Sequence, residues 1–545
     1  MRVDYITTNR KNKSYTYPLL RHAYRDKDGK VKHKTIANLS KLPKEQVKIL
    51  ELALKKADDF EIISQLITQD EVSYNTSYSI GAVYLLYQIA RRIGLVESLG
   101  YSKYGKIVLW QVISRLIKPM SKVGCVRLSN QHAVLEVLNM EDFNEDDVYE
   151  SLGWLDENQA RIENKLFELN KLAKSNALYL YDVTSSYFEG DKNELSAYGY
   201  NRDKKLGKKQ IVIGLLTDSE GYPVSVNVYR GDTSDVKTFN DQLDKIRNRF
   251  GVREVVFVGD KGMLKNEQQE AIVKDGGYYI TSITKAQIRR LMEANDIDMT
   301  LFDKDIQEIV IDGVRYIFRR NEFRAMELRR NREDKLEKMK LWIEKKNMQL
   351  KERKRSRVDK AYGKGMDKLK KLKIEDWFIL KQEGNLLSWE IDELKLEEKS
   401  KLDGCYVVKT NVPMELANKE LIHSRYKDLC NVEKAFKDIK TELLEVRPIY
   451  VRKASHTRAH VFIVMLSYLL KKHLEKYWKD INMTISEAIH ALVRINAIEI
   501  KFRTNCIHIV PEGDDIGKKL LSLADVKLPK MISIKKRNVD NTIKI

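Results

Sequence analysis

The alternation of hydrophobic and polar positions changes its period several times along the chain. Residues 1–75 begin with two stretches typical of strands, at 14–24 and 31–39, joined by the turn-forming Asp26-Lys27-Asp28-Gly29. Pro43 then stands where it could open a helix. We predict a basic β-hairpin followed by a helix in this N-terminal region.

Residues 76–175 carry apolar positions at helical spacing. We interpret four segments as helices, at 80–93, 107–117, 144–155 and 158–172. A bundle of this kind either binds DNA or packs against a core. No helix-turn-helix pattern decides between the two, so a DNA-binding domain is one of two hypotheses for this region.

From residue 176 to 285 the pattern becomes that of a mixed sheet. The strand-like segments are 177–183, 210–217, 222–229, 254–259 and 278–281, with helical segments at 233–250 and 264–275. The order is strand, strand, strand, helix, strand, helix, strand. It predicts an α/β fold in which helices pack against the sheet.

Residues 286–403 interrupt this rhythm. Within them, residues 324–373 hold 20 Lys and Arg against 8 Asp and Glu, a net charge of +12. The stretch has no proline and is rich in good helix formers, which predicts a long helix or helical hairpin, broken near Gly363 and Gly365. Such a helix is either a solvated face or an arm that contacts DNA phosphates.

Sheet and helix resume in residues 404–495. A strand-like segment at 404–410 precedes a helix at 421–443 and a strongly apolar helix at 455–472. Residues 496–545 read as a basic C-terminal tail.

Composition adds a partner and a compartment to this outline. Among 545 residues, 99 are Lys or Arg and 79 are Asp or Glu, and the net charge of +20 favours a polyanion, nucleic acid before anionic lipid. The four cysteines are far apart, which excludes a disulfide framework and a zinc finger and is typical of the reducing cytoplasm. The N-terminus has no apolar signal segment, and the longest apolar run, 461–470, is too short for a bilayer.

Two acids stand out by their positions after apolar strands. Asp182 follows Leu178-Tyr179-Leu180-Tyr181, and Asp260 follows Val255-Val256-Phe257-Val258-Gly259. Each could simply cap a turn. Two acids at the ends of neighbouring strands would face each other, however, and with a helix carboxylate would form an oxygen cage suited to Mg²⁺ or Mn²⁺.

The third acid is predicted on the helix at 421–443. Tyr426, Glu433 and Lys440 are spaced by seven, nearly two helical turns, so a continuous helix would carry them on one face. A phenol, a carboxylate and an ammonium on one stripe suit a reader of metal and phosphate. A solvated heptad face tolerates the same residues.

With these motifs, the chain resembles the insertion-sequence DDE transposases of the IS-four-like superfamily, which carry a Tyr-x2-Arg-x3-Glu-x6-Lys signature. Asp182-Val183-Thr184 resembles the first acid motif, Val258-Gly259-Asp260-Lys261-Gly262-Met263 the second, and Tyr426, Glu433 and Lys440 the third. Leu429 stands where the signature has Arg, and Lys427 or Lys437 could take over its phosphate contact. The resemblance implies an RNase H-like fold interrupted by a largely β insertion.

The resemblance also implies a mechanism. Asp182 would bridge two Mg²⁺ or Mn²⁺ ions, with Asp260 and Glu433 each holding one, for cleavage at the element's ends and strand transfer into target DNA. Tyr426 and Lys440 would position phosphates at the terminal inverted repeats. A homodimer would act on paired ends of double-stranded DNA, in the cytoplasm at the nucleoid.

A few further residues are weaker candidates. His460 lies near the site or, as we favour, in the core, and Arg447 and Arg452 contact phosphate or are surface charge. Trp377 and Trp389 could hold an unstacked base, although ordinary packing is favoured.

Two other functions compete with the transposase. One is a catalytically inert DNA-binding protein derived from the same core, and the other is an RNase H-like nuclease that does not transpose. The presence of all three acids argues against the first, and the Tyr-Glu-Lys spacing with the basic insertion argues against the second.

Overall fold

The structure is a computed structural model. It describes residues 1–10, 13–25, 29–55, 72–170, 177–200, 202–203, 205, 207–252, 255–303, 305–352, 357–441, 444–447, 449–502 and 505–535.

The N-terminal region is a three-stranded antiparallel sheet with one helix against it. It consists of β1 (Arg2–Arg10), β2 (Lys13–Arg25), β3 (Val31–Asn38) and α1 (Lys44–Lys55). The predicted hairpin is confirmed as β2 and β3, and the sequence pattern missed β1. Most of the predicted turn, 26–28, lies outside the described residues. A small core of Val3, Leu20, Leu39, Val47 and Leu50 joins the helix to the sheet.

The next region is helical, as predicted, but it opens with a strand, β4 (Val72–Ser79). Its helices are α2 (Gly81–Arg92), α3 (Leu95–Leu99), α4 (Lys103–Ile117), α5 (Lys122–Ser129), α6 (Val134–Val137) and α7 (Glu145–Leu169). The two helices predicted at 144–155 and 158–172 are one, because nothing between them breaks the helix. Asn144 and Asp147 form a capping box at its start.

An eight-stranded mixed sheet forms the centre of the molecule. The strands are β5 (Ala177–Tyr187), β6 (Gln210–Asp218), β7 (Pro223–Arg230), β8 (Val255–Val258), β9 (Tyr278–Ser282), β10 (Gln307–Ile311), β11 (Val314–Arg320) and β14 (Cys405–Thr410). Their order in the sheet is β10-β11-β14-β9-β8-β5-β6-β7.

Strands β5 to β9 have the RNase H-like arrangement that was predicted. β5, β6 and β7 are antiparallel neighbours, while β8 and then β9 lie parallel on the other side of β5. β14, β11 and β10 extend this sheet antiparallel at the β9 edge.

Helices cover both faces of the sheet. On one face, α8 (Asp235–Asp244), a π-helical turn (Lys245–Arg249) and α9 (Asn266–Lys274) accompany a core that includes Tyr179, Tyr181 and Phe257. On the other face, Leu180 shares the main core with the helical region and with α15 (Lys419–Lys427), α16 (Leu429–Lys440) and α17 (Ala454–Tyr477). Successive side chains of β5 therefore point to opposite faces of the sheet, and both faces are buried.

The insertion combines an extension of the sheet with a separate helical unit. Two short helices, α10 (Lys285–Glu293) and α11 (Thr300–Asp303), precede β10. The unit consists of α12 (Glu322–Glu352), α13 (Val358–Leu372), β12 (Phe378–Glu383), β13 (Leu386–Ile391) and α14 (Glu393–Lys401). It has its own core around Met339, Ile343, Trp377 and Phe378.

The long basic helix was predicted, but the break near Gly363 and Gly365 was wrong. α13 runs through both glycines. A Cβ at Gly365 would lie 2.5 Å from Leu380 and 3.2 Å from Trp342, so this glycine permits close packing inside the unit.

The described residues of the predicted C-terminal tail, 496–502 and 505–535, fold into strands and a helix. After α18 (Ile485–Val493), the strands β15 (Asn496–Phe502), β16 (Asn505–Ile509) and β17 (Met531–Ile532) form a sheet with β4, and α19 (Asp515–Leu523) packs against α18. Apolar and polar residues alternate in Ile498-Glu499-Ile500-Lys501-Phe502, which is the pattern of a strand. In the described part of the chain, no helix has both the length and the apolar character needed to cross a membrane.

Candidate active site

The first two acids lie side by side because β5 and β8 are parallel neighbours. Their register pairs Leu180 with Val258, and Asp182 and Asp260 each stand two positions beyond that pair. β8 ends at Val258, whereas β5 continues to Tyr187. The prediction that Asp182 ends its strand was therefore wrong: it lies within β5, where the parallel neighbour has ended.

Helix α16 brings the third acid to the same face. Val432, Ala435 and Phe436 of α16 are buried in the core that also contains Leu180. Glu433 follows Val432 and is exposed at the helix surface. Residues two apart on a strand share a face, so Asp182 lies on the Leu180 side, toward α16.

The charges of Glu433 and Asp260 act on Asp182. The pKa of Asp182 is raised to about 7, first by burial and then by these two negative charges, and the Val183 N–H and Arg202 oppose the rise. The Val183 N–H donates to Asp182 Oδ1 at 2.7 Å, and the Lys261 N–H donates to Asp260 Oδ1 at 2.8 Å. Among the described residues, no Lys, Arg or His forms an ion pair with any of these three acids.

The oxygen atoms of the three acids are of the kind that binds a divalent cation, but the side chains lie too far apart to coordinate one together. Within the described ranges, no three His, Cys, Asp or Glu side chains converge closely enough to hold a metal ion. Among the described residues the three carboxylates have no ion-pair partner, although the chain has a net charge of +20. Hard cations take such oxygen ligands, and coordination here requires the three side chains to move toward one another.

Tyr426 approaches the acids from a separate helix. α15 ends at Lys427 and α16 begins at Leu429, with Asp428 at the junction. The prediction of one continuous helix carrying Tyr426, Glu433 and Lys440 was therefore wrong. Tyr426 still lies near the site, because Asp260 and Glu433 both add to the rise in its pKa that burial causes. A hydrogen bond with the side chain of Ser282 opposes this rise in the pKa of Tyr426.

Lys440 is held by an acid that the sequence did not single out. Its Nζ lies 2.9 Å from Asp203 Oδ1, and Arg447 lies 3.4 Å from Asp203 Oδ2. Burial lowers the pKa of Lys440, and Asp203 opposes that change. The Arg447 guanidinium also stacks 4.3 Å above the ring of Tyr187. Any phosphate that binds Lys440 or Arg447 must compete with Asp203.

Comparison with known proteins identifies the family. Residues 175–470 match the transposase DDE domain, and residues 4–65 match the N-terminal domain of the IS1634 family of transposases. The chain belongs to the DDE transposases. Such transposases bind DNA, use divalent metal ions, and cut and join DNA strands.

The comparison with solved structures gives a distant likeness. The transposase is similar to piggyBac transposase in its synaptic complex with hairpin DNA, with 10% identity, a TM-score of 0.34 and 76% of each chain covered. Among curated proteins there is no matching relative.

The remaining phosphate-contact candidates of the transposase lie on helices α15 and α16. Lys427 and Lys437 are both exposed. Leu429, which replaces the Arg of the signature, is half-buried against the main core. Nearby Arg425 is paired with Asp428 at 3.2 Å. Lys427 and Lys437 thus stay exposed to a ligand, as does Lys434 on α16.

The favoured interpretations of His460 and Trp377 agree with the structure. His460 is buried, and its Nε2 lies 2.9 Å from Val446 O. Trp377 is fully buried in the core of the insertion. Trp389 is 37% exposed and lies under the ammonium of Lys340 at 4.4 Å.

Arg115 is a further residue that sequence reasoning missed. It is buried and donates to Leu444 O at 2.6 Å and to Glu445 O at 2.7 Å, so it fixes the segment between Lys440 and Arg447. Its signal in the sequence was a lone cation inside the apolar run Val112-Ile113-Ser114-Arg115-Leu116. For Asp203, the signal was a single acid in a basic run.

Proposed function

We propose that this transposase cleaves the ends of its mobile element and joins them to target DNA at a centre formed by Asp182, Asp260 and Glu433. The observation that supports it is the group of three neighbouring carboxylates without an ion-pair partner among the described residues. The parallel register of β5 and β8, together with the packing of α16, keeps these acids adjacent.

The three acids have different roles in this proposal. Asp182, which senses the charge of both other acids, would hold two Mg²⁺ or Mn²⁺ ions, while Asp260 and Glu433 would each hold one. When bound, such a pair of ions activates the attacking hydroxyl and stabilises the leaving oxygen.

Cations and a phenol would position the DNA. Tyr426 lies beside Asp260 and Glu433, so its hydroxyl would contact a phosphate next to the cleaved bond. Lys440 and Arg447 would bind further phosphates after releasing Asp203. Lys427 and Lys437, which are exposed, would contact the DNA backbone.

The larger assembly is part of the same proposal. A homodimer would hold two terminal inverted repeats together with target DNA. Because its substrate is DNA, the protein would act at the nucleoid. The basic helix α12 would contact DNA phosphates, and the domain boundaries at 75, 175, 285, 403 and 495 stand as predictions. Membership of the Tyr-Arg-Glu-Lys group is proposed on Tyr426, Glu433 and Lys440.

The decisive experiment measures nicking of DNA that carries the element's own ends, with Mg²⁺ or Mn²⁺. The parent chain is compared with Glu433→Gln and with Glu420→Gln, an exposed carboxylate on the neighbouring helix α15. We expect Glu433→Gln to bind DNA normally and to cleave about a thousand-fold more slowly, since a metal ligand contributes several kcal/mol to the transition state.

The control should cleave like the parent. Equal cleavage by Glu433→Gln would remove Glu433 from the metal site. Binding without cleavage by the parent would favour an inert DNA-binding protein instead.

A further inference from the structure

Two tyrosines stand exposed in the connection between β5 and β6. Tyr198 is 66% exposed and Tyr200 is 83% exposed. Burying an aromatic ring of this size stabilises a fold, so exposure of both rings forgoes that stabilisation. Rings left in solvent next to a nucleic-acid site are candidates for contact with a ligand.

The backbone under these tyrosines is fastened to the sheet. Ala197 and Gln210 exchange backbone hydrogen bonds of 3.0 and 2.9 Å. Gln210 Nε2 donates to Tyr200 O at 3.1 Å and to Gly231 O at 2.8 Å. Gly199 separates the two tyrosines, and a Cβ there would lie 2.1 Å from Gly231 O. Only glycine permits this approach, and it holds the two rings on a fixed base.

Cations lie over the rings. Lys209 Nζ is 6.0 Å from the ring of Tyr198, and the Arg202 guanidinium is 5.9 Å from the ring of Tyr200. Residues 198–209 contain five Lys and Arg and one acid, Asp203. Arg202 also donates to Asp235 at 2.7 Å and Lys209 to Asp191 O at 3.2 Å, so a phosphate would compete with these partners. Aromatic faces combined with cations form the binding surface that single-stranded nucleic acids use: bases stack on the rings, and phosphates bind the cations.

This surface adjoins the acid site. The backbone N–H of Arg202 donates to Ser185 Oγ at 2.9 Å. Ser185 lies three residues after Asp182 on β5. Arg202 is also close enough to lower the pKa of Asp182. Asp203 binds Lys440, seven residues after Glu433 on α16. A DNA strand at the three acids would therefore continue directly onto the tyrosines.

We propose that Tyr198 and Tyr200 form a stacking platform for about two unpaired nucleotides beside the scissile phosphate, with Arg202 and Lys209 on their phosphates. The substrate is then DNA that is single-stranded next to the cleavage point, because base pairing and stacking hide the base faces in an intact duplex. This inference rests on the proposed function, since it takes its position from the acid site.

The test measures binding of the full chain to three probes: a short oligothymidylate, an abasic deoxyribose-phosphate strand of the same length, and a blunt duplex. The variants are Tyr198→Ala/Tyr200→Ala, the aromatic replacement Tyr198→Trp/Tyr200→Trp, and Tyr101→Ala. Tyr101 is a matched control because it is 70% exposed and lies in the helical region.

The parent should bind oligothymidylate more tightly than the abasic strand. The double alanine variant should lose about ten-fold or more on oligothymidylate and little on the abasic strand or the duplex, since stacking contributes about 1–3 kcal/mol per base. The tryptophan variant and Tyr101→Ala should bind like the parent.

Equal affinity of the parent for the thymidylate and abasic strands would overturn the platform, as would an equal loss by the alanine variant on all three probes. These are binding measurements, so they are read separately from cleavage. Glu433→Gln should keep the preference for oligothymidylate even though it does not cut, and absence of cleavage by the parent would count against the proposed function alone.

Discussion

Two carboxylate sites lie against the same central sheet, and the protein treats them in opposite ways. Glu163 of α7 is fully buried and accepts hydrogen bonds from Gln159 at 2.8 Å and Ser225 at 3.1 Å. Lys245 and Arg249, from the π-helical turn, form ion pairs with its other oxygen. Asp182, with Asp260 and Glu433, has neighbours of its own sign.

The difference appears in the proton affinities of the two sites. Burial alone would raise the pKa of Glu163, but Lys245 and Arg249, with Gln159, bring it below its ordinary value. Burial raises the pKa of Asp182, and its acidic neighbours add to the rise. Where a carboxylate joins helix to sheet, the fold supplies the opposite charge. At the candidate active site no ion pair supplies that charge among the described residues, and we expect a ligand to supply it.

The largest effect on stability is expected at the paired site. Glu163→Gln should lower the free energy of unfolding by about 3–5 kcal/mol, because Lys245 and Arg249 lose their buried counter-charge. Denaturant unfolding measures this difference. Glu168→Gln, an exposed carboxylate on the same helix, is the control and should change stability by less than about 0.5 kcal/mol.

The effect of Glu163→Gln on the free energy of unfolding should depend on pH. A lowered pKa in the folded state means that the stabilisation by Glu163 is complete above its unfolded value, 4.5, and is lost as the pH falls through the folded pKa. The gap between parent and Glu163→Gln should therefore be widest near neutral pH and should close in acid. A gap that widened in acid would contradict the assignment of Glu163 as the charged partner.

A smaller effect should follow from adding Mg²⁺ or Mn²⁺. Binding to the folded chain alone stabilises it by about 2.7 kcal/mol at a metal concentration about 100 times the dissociation constant. Thermal unfolding of the parent should shift upward, the shift should persist in Glu163→Gln, and it should be absent in Asp182→Asn. A shift that survived Asp182→Asn would place the ions elsewhere.

The smallest effect concerns Asp182 without metal. Asp182→Asn removes a half-buried charge that faces two like charges, so the metal-free variant should be more stable than the parent by about 1 kcal/mol, while its cleavage is lost. Chemical unfolding in the presence of a chelator measures this. A loss of stability would show that Asp182 acts as a structural acid, like Glu163.

The sequence was informative where hydrophobic patterns are long or repeated. The strands β5 to β9 and their order followed from apolar runs and turns, and that order was enough to bring Asp182 and Asp260 together. The acid on α16 required family resemblance, because spacing alone does not show which helix face meets the sheet.

Other features depend on contacts between distant segments. The junction at Asp428 has no proline or glycine to mark it, so Tyr426 was placed on the wrong helix. Asp203 became visible only when folding placed Lys440 and Arg447 beside it. Glu163 sits in an apolar helix pattern, and its two cations come from a π-helical turn that no local pattern predicts.

The pairing of β4 with β15 has a consequence for the time course of synthesis. Asn75 and Glu499 are neighbours in that ladder although 424 positions separate them. At roughly 5–20 residues per second, a ribosome needs about 20 to 85 seconds to cover that distance. During that interval β4 cannot pair with β15, because β15 has not been synthesised. A chain whose translation stops before β15 therefore cannot form this sheet.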